Sequence, residues 1–167
     1  VVLSMHKRKL LIATALLVVI MIMAGCKSTS VKDDLNNYVN QELKALKTLE
    51  LEALRAYQSV TGENYENDAV MHEVMTETVI PKYREYLTAL QEVKPKTKEI
   101  KELHDKLLEG TNSVYFGLQD IVLALEKQDE SLIDQGNSKL ELAEIQLGEF
   151  WDRLEELAQK NDIEYLE

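Results

Sequence analysis

From Leu35 onward, apolar side chains recur at spacings of three and four: Leu35, Val39, Leu43, Leu46, Leu49, Ala53, Tyr57 and Val60 form the first run. At 3.6 residues per turn these positions make one stripe on a helix, whereas in a strand they would fall on both faces. A second run carries Val70, Met71, Val74, Thr78, Tyr83, Tyr86, Leu87, Leu90 and Val93. The third runs from Ile100 through Leu103, Leu107, Thr111, Val114, Leu118 and Ile121 to Leu125, and the fourth from Leu132 through Leu140, Ala143, Leu147, Phe150, Trp151 and Leu154 to Ala158. No alternating β-branched run competes, and the 167 residues hold only two prolines and six glycines. The fold class is all-α.

The punctuation divides the same four runs. Ser30 with Asp33 has the spacing of a loose capping box, and Thr61-Gly62 ends the first helix because glycine tolerates a left-handed backbone. The second helix starts near Asn67 or Asp68. Pro81 lies inside it, deleting a donor and crowding the preceding turn, so a kink or break is expected near residues 79–81. Lys94-Pro95 closes that helix, since a residue before proline is pushed out of the α region. The third helix ends around residues 126–129, and either Ser131 or Asp129 caps the fourth. Helices of roughly 28–30 residues, about 45 Å each, joined by short turns predict an antiparallel up-down four-helix bundle. Glu102/Lys106, Glu149/Arg153 and Glu156/Lys160 have the i,i+4 order that supports exposed helices. Gly110 and Gly117, with Gly136 and Gly148 on the last helix, mark either close helix approach or a bend beside a ligand.

Ahead of the bundle stands a different kind of segment. Lys7, Arg8 and Lys9 precede fourteen residues, 10–23, in which only Thr14 is polar, followed by Ala24, Gly25 and Cys26. Basic, apolar and small-residue regions in that order are the layout of an export signal. As a helix the apolar part would reach about 21 Å, short of the roughly 30 Å hydrocarbon core. An uncleaved anchor would need snorkelling flanks and a thinned bilayer. Met23-Ala24-Gly25-Cys26 resembles the lipobox of bacterial lipoprotein precursors. The resemblance implies cleavage before Cys26 and a thioether to diacylglycerol on its sulfur, with fatty acyl chains of the palmitate kind. Met23 departs from the usual leucine but keeps an apolar, unbranched side chain. It also implies that residues 1–25 are a signal peptide, 26–30 a lipidated tether and 31–167 the helical domain. Two acyl chains give firm anchoring where one is marginal.

Cutting before Cys26 removes three of the 19 cationic residues and none of the 30 acidic ones, leaving sixteen against thirty and a net charge of −14. Such a body repels nucleic acid and anionic headgroups alike. Cys26 is the sole cysteine, so no disulfide within the chain is available and packing must hold the fold.

The chemistry-bearing motifs are missing. Positions three before His72 and His104 hold Ala69 and Lys101, so no Glu-x-x-His carboxylate site forms, and no His-Glu-x-x-His, phosphate loop or nucleophile elbow occurs. Both histidines read as surface or rim residues, and no catalytic residue, metal site or cofactor is expected. Seven tyrosines against two phenylalanines is the one oddity. Tyr57, Tyr83, Tyr86 and Tyr115 lie on or beside the stripes of three helices, either as core rings with hydroxyls at the edge or as the lining of a small-ligand pocket. Two functions follow: a non-enzymatic interaction or scaffold lipoprotein with an envelope or cell-wall partner, or a ligand-binding lipoprotein with a pocket near the tyrosines. The helical domain also resembles, without a diagnostic motif, small lipoproteins of Gram-positive bacteria, which implies the extracytoplasmic face of the cell membrane.

Overall fold

The computed structural model describes residues 29–165. The signal segment, Met23, Ala24, Gly25 and Cys26 lie outside them. The described residues are mostly helical, without strands, and form a helical bundle of four helices. Helix α1 (31–58) comprises Val31–Asn37, a π-helical stretch Tyr38–Leu43 and Lys44–Gln58. Helix α2 (68–91) comprises Asp68–Val74, a second π-helical stretch Met75–Val79 and Ile80–Gln91. Helices α3 (Lys98–Lys127) and α4 (Glu130–Asn161) are uninterrupted, with 30 and 32 residues. Among the described residues no helix is long and apolar enough to cross a membrane.

The caps follow from side-chain chemistry. Ser30 Oγ accepts from the Asp33 amide and donates to the Asp33 carboxylate, Asn67 accepts from Val70, and Asp129 accepts from both the amide and hydroxyl of Ser131. Asp129, not Ser131, therefore caps α4. Helix α3 is capped from outside itself. Its N-cap Thr97 makes no local side-chain bond, and Asp34 of α1 instead accepts from the amides of Lys96 and Thr97 and from the Thr97 hydroxyl at 2.6–2.9 Å. Asp34 is buried, and three donors on one oxygen satisfy amides that the helix start leaves open.

Pro81 produces no break, because α2 runs through it and the helix widens just upstream, at Met75–Val79. The carbonyl that the proline ring would crowd belongs to Glu77, inside that widened stretch. Met75 and Val79 are both fully buried there.

The tightest packing joins α3 and α4. A Cβ placed on Gly117 would meet the Gly136 carbonyl oxygen and the Leu140 side chain at 3.0 Å, and one on Gly136 would meet the Gly117 oxygen and Ile121 at 2.9 Å. At Gly110 the obstacle is Leu147, at 2.7 Å. Gly148 faces open space. Close approach thus accounts for three of the four helical glycines. Ion pairs follow the same seam. Lys106 reaches Glu149 and Lys139 reaches Asp120 across it, while Arg153 turns to Glu156; the i,i+4 partners expected for Lys106 and Arg153 are not the ones they take.

Apolar packing falls into two clusters. One joins Leu35, Tyr38, Leu90, Ile100, Leu103, Phe150, Leu154 and Leu157, and the other Val60, Met75, Val79, Leu118 and Ile121. The segment 163–165 after α4 folds onto the first cluster. Asp162 takes a left-handed backbone with φ 50°, the Ile163 amide bonds back to the Ala158 carbonyl, and Ile163 and Tyr165 pack on the core.

The glycines make opposite predictions. Gly148→Ala should stabilise the bundle by about 0.5–1 kcal/mol through helix propensity alone. Gly117→Val should cost about 1–3 kcal/mol, because a branched side chain has no room against the Gly136 backbone. Urea midpoints of the two variants that move in the same direction would refute the close contact.

Candidate functional site

Of the four tyrosines singled out by sequence, the structure gathers three. Tyr83 of α2 lies edge-on to Tyr86 at 5.8 Å and stacks on Tyr115 of α3 at 6.3 Å, with ring planes 11° apart. Arg84 donates from Nε to the Tyr115 hydroxyl at 2.9 Å, and its guanidinium stands 6.0 Å from the centre of that ring. Tyr57 packs with the cluster around Val60 and Met75, on which Tyr83 also packs. Burial is the first cause that raises the Tyr83 and Tyr86 pKa values, so both stay protonated at neutral pH. The charge of Glu50 adds to the rise at Tyr86, and the hydrogen-bonding influence of Thr111, itself buried, opposes it.

A cavity of about 240 Å³ opens beside Tyr86 and none of the other three. Val39, Leu43 and Leu46 of α1 form one wall, and Phe150 and Leu154 of α4 the other, with Leu107 of α3 also lining it. Lys47, Glu50 and the half-exposed Trp151 stand at its margin, and Tyr165 from the chain end closes one side. Glu50 is exposed as a residue, yet its carboxyl leans into this margin. Desolvation raises its pKa, against the opposing influence of Lys47 and of the Tyr86 hydrogen bond. Val39, Asn40 and Leu43 belong to the π-helical stretch, whose wider turn lines the opening.

The sequence misplaced His104. It is not a surface or rim residue but 4% exposed, with Nδ1 3.1 Å from the Tyr38 hydroxyl and the rings edge to face at 5.7 Å. The tautomer follows from counting. If Nδ1 carried the proton, the Tyr38 O–H would be left without its acceptor and Nε2 without a donor. With Tyr38 donating to Nδ1, the single unpaired group of the two side chains is Nε2–H, which is buried without a partner among the described residues. Tyr38 and His104 each adjoin a stripe residue, Val39 and Leu103, but their partnership spans 66 positions and leaves no local signal.

Among the described residues, no group of three or more His, Cys, Asp and Glu side chains is placed to hold a metal ion. No protein-family model, curated protein or solved structure matches this chain.

Burial, the largest influence, lowers the His104 pKa; the Asp105 charge opposes it and the Lys94 charge adds to it. The unfolded chain takes up this proton below about pH 6.5, whereas the folded chain does so only at its lower pKa. His104 therefore contributes stability above about pH 6.5 that is lost as the pH falls through the folded value. Urea midpoints should accordingly drop more steeply between about pH 7 and pH 5 in the native chain than in His104→Gln. Parallel profiles would show that His104 titrates alike in both states.

Proposed function

We propose that this chain is a non-enzymatic lipoprotein, anchored through diacylglycerol on Cys26 to the extracytoplasmic face of a bacterial, Gram-positive cell membrane. Its helical body, in this proposal an antiparallel up-down four-helix bundle, serves as an interaction or scaffold module for an envelope protein or cell-wall partner. Contacts of residue 34 with 97, 52 with 82, 84 with 115 and 106 with 149 support that helix order.

The observation that carries the interaction role is an apolar flank on an acidic surface. Phe116, Leu142 and Ile145 are 51%, 48% and 63% exposed. Leu142 and Ile145 are three apart on α4 and share a face. Phe116 lies on α3 between Ser113 and Asp120, whose partners Gln146 and Lys139 bracket Leu142 on α4. Large apolar side chains clustered on a strongly charged body mark a contact surface more often than solitary ones do.

Two changes separate anchoring from interaction. Cys26→Ser should abolish labelled fatty-acid incorporation and release the protein from membranes, and unchanged incorporation would refute the lipid site. Ile145→Asp should leave stability within about 0.5 kcal/mol while removing crosslinked species formed by the lipidated protein in intact cells. Crosslinks that persist unchanged would rule out this flank.

The cavity beside Tyr86 favours a second reading, a binder of a small apolar ligand. Trp151 is the sole tryptophan and stands at the opening, so its emission reports occupancy directly. An envelope metabolite at 100 times its Kd should add about 2.7 kcal/mol of stability and shift that emission. A screen in which neither changes would eliminate the binder.

A further inference from the structure

A second cleft, of about 420 Å³, lies between the α2–α3 turn and the first turns of α3. Val93, Lys94 and Pro95 form one wall; Lys101, His104, Asp105 and Leu108 form the other. Positive charge is concentrated here in an otherwise acidic protein, because Lys94, Lys96, Lys98 and Lys101 fall within eight residues that contain one acid, Glu99. Lys98 is drawn off to Glu102 at 3.5 Å, and Lys94 is tied to the Gln91 carbonyl at the cleft margin, at 2.5 Å. Asp34 already takes the amides of Lys96 and Thr97 that lead into α3.

The independent sign of a ligand is His104. The side chain is 96% removed from solvent, taking its 4% exposure as the remainder, and it forms part of the cleft wall. With Nδ1 committed to Tyr38 on α1, Nε2–H of this cleft-lining ring has no acceptor among the described residues. A buried donor without an acceptor is destabilising, and a ligand acceptor would relieve that cost. We propose that this cleft binds a small monocarboxylate. His104 Nε2–H, Lys94 and Lys101 hold the carboxylate, and Val93, Pro95 and Leu108 cover a short apolar body. Asp105 on the same wall opposes a second negative charge, so the site selects a monoanion over phosphate.

The test is imidazole nitrogen NMR on the full chain, titrated with sodium butyrate at ionic strength held constant with sodium chloride. The His104 Nε2 signal should move saturably, and Lys101→Gln, an exposed change that spares the fold, should weaken binding about fivefold. Lys94→Gln should do the same, and inorganic phosphate should bind at least about fivefold more weakly than butyrate. Asp105→Asn should narrow that preference. A ring signal indifferent to butyrate at about 50 mM, a movement that chloride alone reproduces, or an affinity unchanged in both lysine variants would overturn the proposal. Equal binding of phosphate would overturn the monocarboxylate assignment.

Discussion

Where Gly117 faces Gly136, two helix backbones approach so closely that a single methyl group would press on the opposite carbonyl oxygen at 2.9–3.0 Å. The rest of the bundle is arranged around that contact. Without a disulfide available among the described residues, α3 and α4 must be joined by dispersion, which rewards close packing and falls steeply with separation. The long helices carry charge of the same sign, because α4 has eight acidic side chains against three basic ones and α3 six against four. Bringing α4 near α3 would cost repulsion if the seam did not also place Lys106 beside Glu149 and Lys139 beside Asp120. These pairs are partly exposed and individually worth about 1 kcal/mol or less, so they relieve repulsion and leave cohesion to the apolar contact.

The helices were legible because the stripe spacing of three and four is a direct consequence of 3.6 residues per turn. The caps at Ser30 and Asn67 were legible too, since they depend on side chains within three positions of their partners. The π-helical stretches were missed, although a signal was present. Leu35, Val39 and Leu43 are spaced by four, as are Met71, Met75, Val79, Tyr83 and Leu87. On an α-helix each such step drifts by about 40°, so several in succession would carry the stripe off the core. The wider turns at Tyr38–Leu43 and Met75–Val79 take up that drift and keep Val39 and Val79 buried. Strict four-residue spacing, sustained over several apolar positions, is thus readable as a demand for a widened turn.

The polar interior was illegible for a different reason. Asp34 stood in the sequence as another first-turn acid, indistinguishable from Asp33, which remains exposed. Only the third dimension turns Asp34 toward the amides of Lys96 and Thr97, some sixty residues away. His104 was likewise judged by what flanks it rather than by Tyr38. The four tyrosines shared a compositional signal but not a location. Three gathered because they occupy facing stripes of α2 and α3, while Tyr57 sits nearer the other end of the bundle, beside Val60.

The void beside Tyr86 and the glycine seam are two results of one geometry. Glycine lets α3 and α4 close on each other, which fixes Phe150 and Leu154 on the side of α4 that α1 must cover. Over that stretch α1 is widened by its π turn, and the side chains it offers are Val39, Leu43 and Leu46, none large enough to reach across. A narrower turn would change this wall at the expense of the drift correction that keeps Val39 in the core. The cavity is therefore tied to how α1 is wound, and changes that restore regular α-helix at Tyr38–Leu43 would alter the core and the cavity together.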